Sequence, residues 1–345
     1  MSGEGGHPVV DVHAHIVPDV VLDAGRRGGV WHGVELGSNQ SGTLTWTVGG
    51  NTHAMGPAFL LSLDDRLQTM DDHHVDVQLL SHMPAMFWYK SPKDTATARA
   101  REINDSIAGT VAKAPTRLRQ LVHLPLQNPD DALVELDRAA TELDVVGLGI
   151  GTNVDGLNWD APELFPVLEA AADLGVMVFI HPCDARYPSG PHPYHLQNMT
   201  AFPFETTFAM ASLIFGGVLD RLPGLRVCLA HGGGYSCMAL GRFDHGHSVR
   251  REAQTTQHDP SSYASRIWFD SLTHSHRALR FILDQAGPGQ IVLGTDFPAD
   301  MAQDRPVDWV RATDLLTEQE KETVLSANVQ VLLGEAAYAS LRSAG

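Results

Sequence analysis

Short apolar runs recur along the chain, and each is followed by a stretch whose pattern is helical. The runs place Val, Ile and Leu at consecutive positions, which is typical of parallel strands that are buried on both faces. The eight candidate strands lie within residues 9–13, 75–82, 117–126, 145–152, 176–182, 225–231, 266–272 and 290–296. Eight alternations of strand and helix predict an α/β fold, a (β/α)₈ TIM barrel. A doubly wound sheet is the alternative, and the lack of a G-x-G-x-x-G motif after the first strand disfavours its nucleotide-binding form.

Two polar segments interrupt the repeat, one after the first predicted strand and one after the fifth. Residues 25–58 are rich in glycine, and the alternating text SGTLTWTVGGNTHAM predicts a small hairpin insertion that turns at Gly49–Gly50. Residues 184–203 are punctuated by proline and predict a loop. Because both segments follow barrel strands, we expect both to lie over the mouth of the barrel, the loop as a lid. No linker is evident, so residues 1–345 are predicted to form a single domain.

Composition narrows the classes of protein. With 43% hydrophobic and 19% charged residues the chain is of ordinary globular type. The net charge is −17, from 24 Lys and Arg against 41 Asp and Glu, which argues against nucleic acid or an anionic membrane as a partner. No apolar run reaches the ~18 residues of a membrane span, and MSGEGGHPVV does not read as a signal peptide. Three cysteines without a zinc-knuckle spacing predict reduced thiols in the cytoplasm.

Histidine and aspartate stand at the ends of four predicted strands. His13 and His15 end the first strand, His181 the fifth, His231 the sixth and Asp296 the eighth. Side chains alternate along a strand, so His13 and His15 share a face. Since the C-terminal ends of barrel strands open on one mouth, we expect all five side chains to converge. Such donors suit a catalytic divalent ion, Zn²⁺ first, and Mn²⁺ or Fe²⁺ would accept the same set.

The sequence around these residues resembles that of a known family. DVHAHIVP, FIHPCD, CLAHGGG and IVLGTDFP are similar to motifs of the amidohydrolase superfamily. The resemblance runs nearly the whole chain and is greatest to the decarboxylating branch, typified by 2-amino-3-carboxymuconate-6-semialdehyde decarboxylase. It implies a metal-dependent, non-oxidative decarboxylase, a carbon–carbon lyase acting on a small unsaturated or aromatic carboxylic acid. The implied cofactor is one divalent ion per chain, with no organic cofactor.

The resemblance also implies roles for the strand-end residues. His13, His15, His181 and Asp296 would bind the ion, and His231 would act beside it as an acid and base. Asp296 would be a second catalytic residue, because some members use the matching aspartate to protonate the substrate. The predicted fourth strand ends without the lysine that hydrolytic members carry, which favours one ion rather than two.

The sequence departs from the family where substrate is bound. The arginine with which the family's hairpin insertion binds a substrate carboxylate is absent, and His53 stands in that segment. His195 stands near a tryptophan of the family's loop after the fifth strand. Arg242 matches an arginine that, in the family, reaches into the active site of the neighbouring subunit. The resemblance therefore implies a homodimer. Further candidates for substrate contact are Arg250, Trp88 and His274, each of which also has a structural explanation as a helix-end or packing residue.

Two other functions stay open from the residues alone. Hydrolysis, or hydration of a C=C bond, of a small cyclic or unsaturated acid could use a water activated by the same ion. A ligand-binding scaffold is the non-enzymatic alternative, and the complete ligand set argues against it. Cys183 lies two residues after His181 and is predicted to be a wall of the pocket, because a nucleophilic cysteine needs a base arranged for it.

Overall fold

The structure is a computed structural model that describes residues 7–48, 51–183, 185–186 and 193–343. Its strands are of two kinds, eight that form one parallel sheet and four that form a small antiparallel one. In chain order the strands are β1 Val10–Ile16, β2 Gly29–Trp31, β3 Val34–Ser38, β4 Leu44–Val48, β5 Asn51–Ala54, β6 Val77–His82, β7 Leu118–Val122, β8 Gly147–Gly151, β9 Met177–His181, β10 Arg226–Leu229, β11 Ile267–Asp270 and β12 Ile291–Val292.

The eight parallel strands close into a barrel. They are ordered β1-β6-β7-β8-β9-β10-β11-β12, so each strand pairs with the next barrel strand along the chain. Backbone hydrogen bonds join the last strand to the first: Val12 N–H donates to the carbonyl of Leu293 at 3.0 Å, and Asp296 N–H donates to that of His13 at 2.8 Å. The predicted (β/α)₈ barrel is therefore confirmed, and all eight predicted strands are present.

Helices connect the barrel strands and surround them. They are α1 Asp19–Arg27, α2 Leu63–Asp72, α3 Lys93–Val111, α4 Pro129–Glu142, α5 Phe165–Leu174, α6 Phe202–Phe215, α7 Val218–Arg221, α8 Ser236–Val249, α9 His276–Ala286, α10 Pro306–Ala312, α11 Glu318–Glu322, α12 Asn328–Leu333 and α13 Glu335–Ser343. None of the described helices combines the length and the apolar character needed to cross a bilayer.

Apolar side chains fill two regions. One cluster lies inside the barrel and includes Leu79, Met177 and Phe179, with α12 and α13 packed against it. Arg226, which begins β10, donates to the carbonyl of Leu333 at 3.1 Å, so these two helices cover the N-terminal ends of the strands. The larger cluster lies between the strands and the surrounding helices. The C-terminal ends of the strands are thereby left as the open mouth.

The insertion after β1 is larger than the predicted hairpin. Strands β2 to β5 form a four-stranded antiparallel sheet, in which β4 and β5 are the predicted hairpin. Its predicted turn at Gly49–Gly50 lies outside the described residues. The sheet packs on α3, because Trp31 Nε1 donates to Glu102 Oε2 at 3.0 Å. Strands β2 and β3 were missed because they are short, and Gly28, Gly29 and Gly33 interrupt their alternation.

The segment after β9 is only partly described. Residues 185–186 and 193–196 belong to the predicted loop, but a π-helical turn covers Gln197–Ala201 and α6 begins at Phe202. Helical structure therefore begins at Gln197, inside the predicted loop. Two strands also end earlier than predicted. β7 ends at Val122 and β12 has only two residues, so the polar residues that follow them lie beyond the strands.

Candidate metal centre and active site

The first barrel strand carries two imidazoles that face a common point. His13 and His15 lie in β1, and their Nε2 atoms are 3.2 Å apart. The register of β1 against β6 shifts between Asp11 and Ala14. Such bulges re-aim side chains next to active sites. Both rings are almost fully buried, with exposed fractions of 0% and 1%.

A carboxylate lies among the strand-end histidines. The Oδ1 of Asp296 is 3.2 Å from the Nε2 of His13 and 3.1 Å from that of His15. The same oxygen is 4.0 Å from the Nε2 of His181, and Oδ2 is 3.6 Å from the Nε2 of His231. The donor atoms of His13, His181, His231 and Asp296 all lie within 4.8 Å of one another. The structure thus brings together all five strand-end residues.

Three of the four rings are oriented through their Nδ1 atoms. The Nδ1 partners are Asp270 Oδ2 for His13 at 2.6 Å, Ser81 Oγ for His15 at 2.9 Å and the carbonyl of Pro182 for His181 at 2.8 Å. Histidines that bind a metal usually donate their other ring N–H to such a partner, which leaves Nε2 free for the ion. His231 differs, because its buried Nδ1 has no hydrogen-bond partner among the described residues.

An unsatisfied nitrogen of His181 fits a bound cation. Its Nε2 is buried and makes no hydrogen bond within the described part of the chain. Burial lowers the pKa of this imidazole well below its ordinary value, so the ring is neutral. A neutral imidazole with a free lone pair is the form that binds a metal. Imidazole and carboxylate donors at this spacing are suited to Zn²⁺, so the residues present fit a divalent ion.

Opposite charges set the protonation of the centre. Burial raises the pKa of Asp296, but the charge and hydrogen bond of His13 bring it well below its ordinary value. Burial lowers the pKa of His13, and the carboxylates of Asp296 and Asp270 outweigh that effect and raise it to about 10. At neutral pH these carboxylates therefore keep an additional proton on His13. They would hold a metal cation in place of that proton, because metal binding at such sites releases protons.

Asp270 is a functional residue that the sequence reasoning missed. It ends β11, is fully buried, and accepts hydrogen bonds from the backbone N–H groups of His231 at 2.9 Å and Gly232 at 2.7 Å. Burial raises its pKa, and the hydrogen bond and charge of His13 bring it below its ordinary value. One ionised carboxylate therefore positions both the ring of His13 and the backbone of His231. Its place at a strand end, the signal that identified Asp296, could have identified it.

Several residues of this region have left-handed backbone conformations. The φ angles are 57° at His231, 63° at Asp296, 51° at His274 and 46° at Trp88. Such angles are uncommon outside glycine, and they concentrate at functional sites. The glycines after His231 continue the tight turn, with φ between 59° and 73° over residues 232–234. The turn places the ring of His231 at the mouth.

A cavity of about 420 Å³ opens beside His231 and Asp296. His274, one of the candidates for substrate contact, contributes to its wall. Most of the other described side chains around it are apolar: Met199, Tyr235, Met238, Leu272, Phe281, Ile282 and Met301. Its size and its few polar groups suit a small organic molecule.

The remaining predicted substrate residues whose side chains the structure describes do not line this cavity. Trp88 is half-buried and lies under the guanidinium of Arg99, with the Arg99 Cζ 4.6 Å from its ring centre. His195, Arg242 and Arg250 are exposed and do not line the cavity in the described part of the chain. The backbone of His53 lies in β5, and its side chain lies outside the described residues. Their roles stay predictions.

Known proteins resemble this chain along most of its length. The amidohydrolase family matches residues 10–334. A 2-amino-3-carboxymuconate-6-semialdehyde decarboxylase of Dictyostelium discoideum is 35% identical over 94% of this chain and 91% of its own. A gamma-resorcylate decarboxylase of Rhodococcus jostii is 32% identical over 70% of this chain and 79% of its own. Among solved structures, 5-carboxyvanillate decarboxylase from Sphingomonas paucimobilis is 25% identical with a TM-score of 0.75, covering 95% of this chain and 99% of its own.

Proposed function

Because this chain belongs to the amidohydrolase family, and to its decarboxylating branch, we propose that it is a metal-dependent, non-oxidative decarboxylase of a small unsaturated or aromatic carboxylic acid. The family that the motifs predicted is confirmed. The observation that carries the proposal is the convergence of three oriented imidazoles and the Asp296 carboxylate beside a cavity of about 420 Å³. An acid held there has its oxygens near the centre and its ring or chain against apolar walls.

We assign the metal to His13, His15, His181 and Asp296, in agreement with the sequence-based prediction. The support is the Nδ1 hydrogen bond that each of the three histidines makes. The donor types favour one Zn²⁺ per chain, and they also accept Mn²⁺ or Fe²⁺. When bound, the ion supplies Lewis acidity that orients and polarises substrate oxygens.

The reaction exchanges a carboxyl group for a proton on carbon. A proton adds to the carbon that bears the carboxylate, which interrupts the conjugation of the substrate. The C–C bond then breaks, its electron pair restores the conjugated system, and CO₂ leaves. In this proposal His231 carries the proton, and the support is that His231 borders the cavity and its Nε2 lies 3.6 Å from Asp296 Oδ2. Asp296 borders the same cavity and is the second group that could transfer a proton.

Release of CO₂ separates decarboxylation from hydrolysis or hydration. We expect the metal-loaded protein to release one CO₂ per molecule of product from at least one acid in a panel of hydroxybenzoates and muconates. Chelator-treated protein is the control, and its activity should return when Zn²⁺ or Mn²⁺ is added. Isotope-labelled carboxyl groups and mass spectrometry of the product make the measurement. Turnover of the panel only to products that keep every carboxylate would contradict the proposal.

We also infer that residues 1–345 form one domain with an insertion over 25–58 and a lid over 184–203. Its support is the continuous apolar cluster, which runs from Val34 and Trp46 of the inserted sheet to the barrel strands and helices. Free thiols at Cys228 and Cys237 support a reducing compartment, and we infer that the protein is cytoplasmic.

We further infer a homodimer. Helices α6 and α8 and the turn before α6 expose an apolar face, the α6–α8 face, formed by Leu196, Met199, Phe204, Phe208, Tyr235 and Met238. Monomeric proteins rarely expose such a surface without a function. Met199, Tyr235 and Met238 also line the cavity, so a second copy seated on this face would cover it. Arg242 lies one turn after Met238 on α8, is exposed, and would lie at that interface.

Mixing two inactive variants tests whether Arg242 acts across the interface. A guanidinium binds a carboxylate bidentately, so Arg242→Ala should lower the activity of its own homodimer. Heterodimers of Arg242→Ala and His13→Ala chains hold one intact site. We expect random mixing to restore up to about a quarter of the wild-type activity, because half of the dimers are then mixed. Heterodimers that form, as shown by two affinity tags, and stay inactive would exclude this role, and Arg250 would be tested next.

A further inference from the structure

A buried arginine to which the described residues supply no anionic partner lies on α3, near the mouth. Arg99 is 2% exposed, and none of the described residues gives it a carboxylate partner or a hydrogen bond. Burial lowers the pKa of Arg99 to about 10, so the guanidinium is still charged at neutral pH. Burying an unpaired charge is unfavourable. The part of the chain that the structure describes therefore holds a cation that it does not neutralise.

Two imidazoles beside this guanidinium are also unsatisfied. His82 ends β6, His123 follows β7, and their ring centres are 4.4 Å apart. The Nε2 of His82, the Nδ1 of His123 and the Nη2 of Arg99 are all buried, and none has a hydrogen-bond partner among the described residues. Burial is the main cause that lowers the pKa of His82 to about 4 and that of His123 well below its ordinary value, and the charge of Arg99 contributes to both decreases. The three side chains thus lie within electrostatic reach of one another.

This cluster adjoins the metal centre. Ser81, the residue before His82, holds the Nδ1 of His15 at 2.9 Å. His82 itself is the Cα partner of Ile16 in the β1–β6 ladder. Trp88 lies in the loop between β6 and α3, and its ring packs against the guanidinium of Arg99. The backbone of Trp88 has a left-handed φ of 46°. A substrate that reaches the metal centre from the β6 side of the barrel would meet Arg99, His82 and His123. His82 ends β6, the strand next to β1.

We propose that Arg99 is the core of a carboxylate-binding subsite, with Trp88 beside it and His123 as a second donor. The ligand is the second carboxylate of a dicarboxylic substrate, the one retained in the product, while the other carboxyl group is lost at the metal centre. The subsite rests on the proposed function and names its substrate class. Arg99 supplies a planar fork that matches a carboxylate. His123 can donate from Nδ1, since no described residue bonds to its ring, whereas His82 already bonds the carbonyl of Met83 through Nδ1.

Binding of simple aromatic acids to the metal-loaded protein tests the subsite. We expect at least one of the three benzenedicarboxylates to bind about 10- to 100-fold more tightly than benzoate, by titration calorimetry, because a charge-assisted pair is gained. Arg99→Met keeps the length of the side chain and removes the charge, so this preference should vanish. Its melting temperature should not fall, because the variant removes an unpaired buried charge. Arg99→Lys should keep part of the preference.

A paired arginine on the next helix gives the matched control. Arg138 of α4 bonds Glu135 at 2.7 Å and Asp105 at 2.8 Å. Arg138→Met should therefore lower the melting temperature and leave the preference for dicarboxylates unchanged. Equal affinity of the wild type for benzoate and all three dicarboxylates would overturn the subsite, whatever the variants do. So would a preference that survives in Arg99→Met.

The outcomes separate the subsite from the proposed function. An Arg99-dependent preference for dicarboxylates in a protein that releases no CO₂ would keep the subsite and reject the decarboxylase. Release of CO₂ by a protein without that preference would keep the decarboxylase and reject the subsite.

Discussion

We expect His181→Ala to contain far less than one divalent ion per chain and to lose about 10³-fold or more in turnover. The ring supplies a buried Nε2 that no described residue satisfies, and the Pro182 carbonyl aims it at the centre. Removing one such donor weakens the binding of the ion. A bound ion stabilises the charge of the transition state by several kcal/mol, and each ~1.36 kcal/mol is tenfold in rate. Elemental analysis of protein purified without added metal makes the measurement, with turnover measured on the same samples. His13→Ala and Asp296→Ala should behave alike.

An exposed histidine serves as the control. His258 is exposed, near Tyr263, and does not belong to the strand-end cluster. His258→Ala should keep its ion and its activity. Stoichiometric metal in a folded His181→Ala protein, with folding verified by circular dichroism, would contradict the ligand assignment.

The sequence predicted the barrel well because its signals are strong and repeated. Eight apolar runs of strand length, each followed by a helical stretch, leave few other arrangements. The convergence at the mouth followed from this topology, since the residue that ends a barrel strand faces the same side whichever strand it ends. His13, His181 and Asp296 could therefore be grouped although they are far apart in the chain.

What the sequence could not predict depends on side-chain partners. Asp270 ends β11, but its hydrogen bond to His13 is visible only in three dimensions. Arg99 lies in an ordinary helical pattern, and nothing in that pattern shows that it is buried with no carboxylate partner among the described residues. Strands β2 and β3 were not predicted because they have only three and five residues and glycines lie around them.

The same geometry distinguishes His231 from the ligands. It lies at the centre with its Nε2 3.6 Å from Asp296, yet its Nδ1 has no orienting partner in the described chain. We expect His231→Ala to keep its divalent ion and lose about 10²- to 10⁴-fold in turnover, the range that proton transfer contributes. Metal content and turnover number on one preparation make the measurement.

The backbone at this position calls for a second variant. His231 has a φ of 57°, a conformation that asparagine tolerates better than alanine. His231→Asn should therefore fold with its metal even if His231→Ala is strained, and it should lose turnover to the same extent, because the amide cannot exchange a proton near neutral pH. Loss of the ion in both variants would make His231 a ligand. The three histidines whose Nδ1 atoms bond Asp270, Ser81 and Pro182 would then not be the complete set of metal-binding histidines. Near-normal turnover in His231→Asn would move the proton transfer to Asp296, which borders the same cavity.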